Sequence, residues 1–275
     1  MRQNHATASA LTNPLMIFVL AMLTVQVTFL KTHPFNSDFT NQLFRFSSTE
    51  DPEALTSLDE YISRMKPDQD TILYLPGDNQ DSILKSPILK KYVKRGYEVL
   101  LLSDPIDEFC FQHLSEYEKR KVKSIAKDDV SLIDSGDEVA KKKLQKLKEM
   151  YKPLTEWWKK FLGKDVEKVI ISNKLDDDPL FILTSQYGYS ATMEKVNRAQ
   201  ALQTQDKTAT YMLAKKTLEL NPHHSVMKQM LAKVKESVDS KVDEATEELA
   251  TVMYNMALLN SGFNIDEPAS LTIPL

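Results

Sequence analysis

The feature that most constrains the fold of this chain is a short strand that leads directly into an amphipathic helix. Residues 180–184 are apolar and partly β-branched, a composition that favours a buried strand. Gly188 interrupts the strand, and Ser190 can cap a following helix because its hydroxyl can accept a first-turn backbone N–H. Glu194 favours the positive end of that helix. The corner between the two elements carries three apolar side chains, Tyr187, Tyr189 and Met193.

Two interpretations of this corner stay open from the residues alone. A methionine beside aromatic rings forms an adaptable surface that can bind varied partners. Large apolar side chains near a helix start are, however, more often part of an ordinary core, and composition alone favours that interpretation.

The composition limits the function classes that need to be considered. A length of 275 residues suggests one or two domains, and the net charge of −4 gives no basis for nucleic-acid binding. The six glycines do not cluster into a loop that could hold a phosphate group. The single cysteine, Cys110, cannot form an internal disulfide, and its neighbours Phe109 and Phe111 indicate a small buried side chain.

Residues 1–38 differ in character from the rest and are expected to lie outside the fold. The segment 14–30 is nearly continuous apolar sequence, and Arg2 precedes it as in a signal peptide. No small-residue cleavage site follows, which favours an uncleaved signal-anchor with membrane contact through 14–30. The alternative is an unrelated sequence joined to the rest of the chain.

The first half of the remaining chain predicts a strand–helix–strand unit with parallel strands. Residues 71–75 and 97–102 are the predicted strands, and residues 82–94 form the helix between them, ended by Gly96. A short helix over 56–65 is predicted before this unit, and residues 41–48 resemble a helix end. The stretch 116–137 is charged and is predicted to be irregular.

Three acidic residues follow the second predicted strand, and they admit a chemical and a structural interpretation. Ligands of α/β enzymes bind at the carboxyl ends of parallel strands, so Asp104, Asp107 and Glu108 could serve a metal ion or acid–base chemistry. The structural interpretation is favoured, because Asp104 and Pro105 suit the cap and first position of a helix.

The second half begins with a long amphipathic helix over 139–162, which Pro153 should kink or split. Its apolar stripe alternates steps of three and four residues, and comprises Leu144, Leu147, Tyr151, Leu154, Trp158 and Phe161.

Residues 166–175 and 180–187 are then predicted to pair as a hairpin through Asp176, Asp177, Asp178 and Pro179. The three aspartates could bind Mg²⁺ or Ca²⁺, but a turn of this composition needs no metal. Residues 209–220 are predicted to be helical, and His223 and His224 to lie at the start of the next helix.

The last predicted helix covers residues 243–260, with acidic residues in its first turn and Gly262 after its end. One apolar stripe runs along it. The stripe comprises Leu249, Val252, Met253, Met256 and Leu259.

The stretch SQYGYSATMEKVNRAQALQ (185–203) resembles the signature of the ninety-kilodalton heat-shock chaperone family, and its endoplasmic-reticulum branch in particular. Two departures are Tyr189, where the family usually has Trp, and His223, where it usually has a basic residue. The resemblance covers roughly residues 40–268, and four further stretches match in the same order: LTSLDEYISRMK (55–66), YEVLLLSDPIDEF (97–109), KTLELNPHH (216–224) and MALLNSGFNIDEP (256–268).

The resemblance implies a mixed α/β (α+β) fold. Residues 39–134 would be the βαβ-containing end of the chaperone middle domain. Residues 135–275 would be a mainly helical client-binding and dimerisation domain with a β-hairpin, incomplete at its end.

The resemblance also implies roles for named residues. Tyr187, Tyr189, Met193 and Val196 are expected to bind unfolded or partly folded client proteins. The stripe on the last helix would form a bundle between two subunits, either as a homodimer or as a heterodimer with a full-length chaperone.

Full-length members of this family use ATP and Mg²⁺, whereas no cofactor is expected in this chain, because the matching stretches omit the nucleotide-binding domain and the catalytic Arg segment. The chain is therefore expected not to be an enzyme on its own. The expected location is the endoplasmic reticulum, with cytoplasmic or other organellar placement as the alternative. The alternative functions are a non-catalytic regulatory partner of a full-length chaperone and a membrane-anchored metal-dependent transferase.

Overall fold

A computed structural model of the chain describes residues 44–67, 69–128, 130, 138–185, 188–204, 216–237 and 242–265. Contacts divide the chain into two compact units, 1–45 with 57–59 and 46–56 with 60–275. Only five residues of the first unit are described, so the account below concerns the second. The predicted apolar segment 14–30 lies outside the described residues. Within these residues, the helices are all too short or too polar to cross a bilayer.

The larger sheet contains the predicted parallel strand pair at its centre. Strands β3 (Thr71–Pro76) and β4 (Leu100–Leu102) pair in parallel, with Leu75 opposite Leu101. The predicted helix between them is two helices, α2 (Gln80–Leu84) and α3 (Pro87–Lys94). Pro87 occupies the first turn of α3, where its missing N–H costs nothing, so the chain restarts there rather than continuing α2.

Strands that the sequence did not predict extend this sheet on both sides. β1 (Phe46–Ser48) and β2 (Leu55–Thr56) lie beside β4, and β1 replaces the helix end expected over 41–48. On the other side, β6 (Arg120–Ser124) pairs in parallel with β3 and carries β5 (Glu116–Tyr117) at the edge. The strand order is β2-β1-β4-β3-β6-β5.

The smaller sheet corrects the predicted hairpin. β7 (Lys168–Ile171) and β8 (Leu180–Thr184) do not pair with each other, because β9 (Lys216–Leu220) lies between them. β9 is parallel to β7 and antiparallel to β8. The prediction of a helix through residue 220 is wrong at these five residues, which form a central strand instead. In that position both faces of the strand can be buried.

The long amphipathic helix is split at Tyr151, as Pro153 predicted. It forms α5 (Glu138–Met150) and α6 (Lys152–Leu162), and Gly163 ends α6 with a φ of +54°. The predicted stripe faces the core of the smaller sheet: Tyr151, Leu154 and Trp158 are buried, and Leu144, Leu147 and Phe161 pack against them.

The remaining helices begin where the sequence predicts. α1 (Leu58–Arg64) and α4 (Pro105–His113) lie in the first half, and α7 (Ala191–Thr204), α8 (Ser225–Glu236) and α9 (Glu244–Asn260) in the second. His224 caps α8 by accepting the N–H of Val226 at 3.2 Å. Gly262 follows α9 with a φ of +81°, a conformation that glycine adopts without strain.

The two sheets have separate apolar cores, and the predicted mixed α/β class is confirmed. One core surrounds Trp158 and Leu218, and the other surrounds Ile88 and Leu101. Phe181 and Leu183 of β8 belong to the second core, so residues on either side of the predicted domain boundary pack together. The division at residue 134 stays a prediction.

Candidate functional site

The corner between β8 and α7 is built by local hydrogen bonds. The Ser190 hydroxyl accepts the backbone N–H of Met193 at 3.1 Å, which caps the first turn of α7 as the sequence predicts. Before the cap, the N–H of Gly188 donates to the carbonyl of Ser185 at 2.9 Å. A backbone hydrogen bond after the strand and a side-chain cap at the helix therefore define the corner.

Lys127, which lies far from this corner in sequence, holds the chain before the helix. Its ammonium group donates to the carbonyls of Ser185, at 3.2 Å, and Gly188. The backbone of residues 126–128 also continues the sheet along β8, since Thr184 donates to Ala126 and accepts from Asp128. The Lys127 ammonium group and the backbone pairing of residues 126–128 thus hold the loop that precedes the helix.

A buried carboxylate also holds the start of the helix. Glu108 of α4 is 3% exposed, and its Oε2 accepts a hydrogen bond from the Ser190 hydroxyl at 2.7 Å. Burial raises the pKa of the Glu108 carboxyl, and the hydrogen bond from Ser190 and the charge of Lys127 counteract this effect. Ser190 therefore connects α4 to the start of α7.

Charged side chains pin the first two turns of α7. Glu194 is buried, and its two oxygens pair with Arg198 at 2.9 Å and with Lys216 of β9 at 3.5 Å. On the outer side, Lys195 forms an ion pair with Asp78. A buried carboxylate with two cations holds the helix more firmly than an exposed pair does.

The structure places the predicted client-binding residues at different depths. Tyr189 and Val196 are half-buried, so part of each side chain is accessible to a partner. Met193 is only 5% exposed and belongs to the interior. Tyr187 lies outside the described residues. Of the two interpretations left open by the sequence, the core one describes Met193, and the surface one suits Tyr189.

The predicted dimerisation stripe on α9 also separates into two groups. Leu249, Met256 and Leu259 are 45%, 54% and 52% exposed. Val252 and Met253 are half-buried, and Met253 packs against the core around Trp158. α9 therefore presents a row of three apolar side chains to solvent while its other face is buried.

A cavity of about 460 Å³ lies beside the corner and reaches the end of α9. Its lining includes Ser190, which caps α7, and Thr192 of α7, together with Leu259 of α9 and Phe263, which follows α9. Of the exposed row on α9, Leu259 therefore shares this cavity with the start of α7.

Structural partners engage three of the acidic residues considered for chemistry, Asp104, Asp176 and Asp178. Asp104 caps α4 by accepting the N–H of Ile106 at 2.9 Å, as the structural interpretation predicts. Asp176 pairs with Lys94 at 2.7 Å, and Asp178 pairs with Lys90 at 3.1 Å. Across the described ranges, no three His, Cys, Asp or Glu side chains come together as a metal site would require.

Burial gives Asp107 an altered acidity. Desolvation, with the nearby charge of Asp104 as a second cause, raises the pKa of Asp107 to about 6. The group is half-buried on α4 and would change charge under mildly acidic conditions.

Sequence reasoning missed the two residues that hold the corner, Lys127 and Glu108. Lys127 lies in a charged stretch that was predicted to be irregular, and Glu108 was considered only as one of three acidic residues that could serve a metal ion or acid–base chemistry. No local signal distinguishes them, because their partners lie at least 58 residues away.

Comparison with known proteins identifies a family and relatives of the chain. The family model described as Hsp90 protein matches residues 31–273. The chain is similar to endoplasmin homologs of Hordeum vulgare, 42% identical over 228 residues, and of Catharanthus roseus and Arabidopsis thaliana, each 40% identical over 229 residues. Each alignment covers 82% of this chain but only 26–27% of the relative, so the chain spans about a quarter of their length.

The family match covers most of the chain, including β8, the capped corner and α9, and three curated relatives agree with it. The chain therefore belongs to the Hsp90 family, as an endoplasmin-like member.

Proposed function

We propose that the chain acts as the client-binding and dimerising part of a molecular chaperone. The observation that carries this proposal is that the β8–α7 corner has a backbone held by hydrogen bonds and apolar side chains that are partly exposed. Lys127, Glu108 and Ser190 hold the backbone, while Tyr189 and Val196 keep part of their apolar surface open. A partly folded protein offers exposed apolar segments, which such a surface can bind weakly and without strict sequence preference.

Within this proposal Tyr189 and Val196 contact the client directly, together with Tyr187. Met193 supports them from beneath, because it is 5% exposed and would have to move to touch a client. Its flexible thioether can adapt as the loop above it adjusts.

The second part of the proposal is that the exposed row on α9 packs against another subunit. Three large apolar side chains along one helix face form a surface that association would remove from water. The partner is a second copy or a full-length chaperone. Pairing with a full-length chaperone would make the chain a regulatory partner, and the same surface serves both cases.

Further elements of the proposal follow from the endoplasmin-like relatives. The chain works in the endoplasmic reticulum, the full-length family members supply the ATP and Mg²⁺ chemistry, and this chain needs no cofactor for client binding. The transferase alternative is disfavoured, since Asp176 and Asp178 are engaged by Lys94 and Lys90.

Suppression of client aggregation tests the client site. We expect Tyr189→Ala and Val196→Ala in the full chain to lower the suppression of thermally aggregating citrate synthase, with at most about 1.5 kcal/mol lost from the free energy of unfolding. Met193→Ala is the buried control, and we expect it to cost about 2–5 kcal/mol of stability.

The stability measurement decides between the two interpretations of Tyr189. If Tyr189→Ala costs as much stability as Met193→Ala, the residue is part of the core and the site assignment fails. Unchanged suppression by both surface variants would equally reject the client site.

A further inference from the structure

Helix α5 lies on the surface, and it is not required by the client site proposed above. Every residue of α5 keeps at least part of its surface exposed, including two large apolar ones, Val139 at 64% and Met150 at 48%. Leu144 and Leu147 pack against the core around Trp158, but both are only half-buried. The helix therefore keeps apolar surface that a partner could cover.

An apolar groove lies where these half-buried leucines of α5 meet the rest of the fold. Ala140, Leu144, Leu147 and Met150 recur at steps of three or four residues, so they form one row about 15 Å long. The facing wall is made by Asn173, which follows β7, and His223, which precedes α8. The depression has a volume of about 470 Å³, enough for two or three apolar side chains, and its lining is predominantly apolar.

Positive charge borders the groove. Lys143 and Lys146 line it, are exposed and, within the described part of the chain, form no ion pair. α5 carries five lysines against two glutamates, Glu138 and Glu149, although the whole chain has a net charge of −4. The excess of positive charge is thus a local property of this helix.

We propose that this groove docks an acidic amphipathic segment of a partner protein. Apolar side chains at helical spacing would fill the row between Ala140 and Met150, and flanking carboxylates would pair with Lys143 and Lys146. The amide of Asn173 and the imidazole of His223 offer hydrogen bonds at the facing wall.

The shape of the groove favours a peptide over a membrane surface. A lipid bilayer contacts the convex apolar face of a basic helix, whereas here Leu144 and Leu147 lie in a depression that also includes Asn173 and His223. An inserted side chain can reach them, and a flat headgroup layer cannot. Charge complementarity sets the sign of the partner, because the lysines would repel a basic peptide.

Charge reversal in the full chain tests the proposal against a matched control. The probe is a fluorescein-labelled helical peptide with leucines on one face and glutamates on the flanks, and binding is measured by fluorescence anisotropy at physiological salt. We expect the double variant Lys143→Glu with Lys146→Glu to weaken binding about tenfold or more.

The control is Lys142→Glu with Lys148→Glu, which changes the same helix by the same charge at positions outside the groove lining. We expect it to weaken binding by less than about threefold, since screening limits more distant charges. All four lysines are exposed, so thermal midpoints should stay unchanged for both variants.

Several results would overturn the proposal. Equal weakening by both double variants would show diffuse electrostatic attraction instead of groove binding, and no weakening would exclude the lysines altogether. A peptide with glutamine in place of every glutamate must bind at least about tenfold more weakly, otherwise charge does not select the partner. Phosphatidylserine vesicles that bind with the same dependence on Lys143 and Lys146 would assign the surface to a membrane.

Discussion

The hydrogen bond between Ser190 and Glu108 provides the sharpest test of how the corner is held. The Ser190 hydroxyl accepts the Met193 N–H at 3.1 Å and donates to the Glu108 carboxylate at 2.7 Å. Both residues are buried, at 6% and 3% exposure. Ser190→Ala therefore removes a helix cap and leaves a buried carboxylate without one of its partners.

The expected cost follows from these two contacts. Loss of an N-cap hydroxyl costs about 1 kcal/mol. Loss of a hydrogen bond to a charged group costs about 1.5–3 kcal/mol. At neutral pH we therefore expect Ser190→Ala to lower the free energy of unfolding by about 2.5–4 kcal/mol.

The cost should depend on pH in a defined direction. Burial raises the pKa of Glu108 above its ordinary value of 4.5, so the folded state holds this proton to a higher pH than the unfolded state does. Ionisation of Glu108 therefore lowers the free energy of unfolding as the pH rises above 4.5. Well below pH 4.5 the carboxyl is protonated in both states, and this loss of stability is absent. Removing the Ser190 hydroxyl raises the pKa of Glu108 further, so the variant loses more stability at neutral than at acidic pH.

Urea unfolding at neutral pH and at a pH near 4.5 checks both the magnitude and the sign. A double-mutant cycle with Glu108→Gln isolates the pair, and we expect a coupling energy of about 1–3 kcal/mol at neutral pH. A cost below about 1 kcal/mol at neutral pH, or a coupling near zero, would refute the argument that the buried carboxylate holds the cap.

Three further predictions concern the end of α9, its exposed row and nucleotide chemistry. Gly262→Ala should lower the free energy of unfolding in urea by about 1–2 kcal/mol, because φ is +81° and the new Cβ would approach the Ala191 Cβ to 3.3 Å. Asn264→Ala at an exposed neighbouring position should change the free energy of unfolding little, and equal costs would contradict the strain argument. Met256→Glu should shift sedimentation towards the monomer without a loss of stability, whereas Glu248→Gln should leave sedimentation unchanged. A wild-type chain that is monomeric at every concentration would reject the dimer surface. Finally, the full chain should not hydrolyse ATP, since its six glycines form no phosphate-holding cluster, and turnover blocked by a nucleotide-site inhibitor would disprove this.

Local sequence signals predicted most helix boundaries correctly. Ser190, Asp104 and His224 cap helices, Pro153 splits α5 from α6, and Gly262 follows α9. These signals work because a cap or a break depends on hydrogen bonds within one turn of the chain, which the neighbouring residues determine by themselves.

Strand pairing was predicted well only where the strands follow one another around a helix. The parallel pair β3–β4 follows from the strand–helix–strand pattern, whereas β9 enters between β7 and β8 from a segment predicted to be helical. Glu219 in β9 is fully buried, and its carboxylate accepts a hydrogen bond from the Ser172 hydroxyl. Burial raises the pKa of the Glu219 carboxyl. Residues 217–220 alternate polar and apolar side chains over only four positions, which is too short a signal to distinguish a strand from the end of the predicted helix.

The candidate site shows the same division between the sequence and the tertiary structure. The sequence by itself determined the family, the strand-to-helix corner and the apolar stripe of α9, since each depends on residues close together in the chain. Only the tertiary structure decided that Met193 is buried, that Leu249, Met256 and Leu259 are the exposed members of the stripe, and that Lys127 and Glu108 hold the loop. The physical reason is that burial and long-range hydrogen bonds depend on which elements pack together, and residues distant in sequence decide that packing.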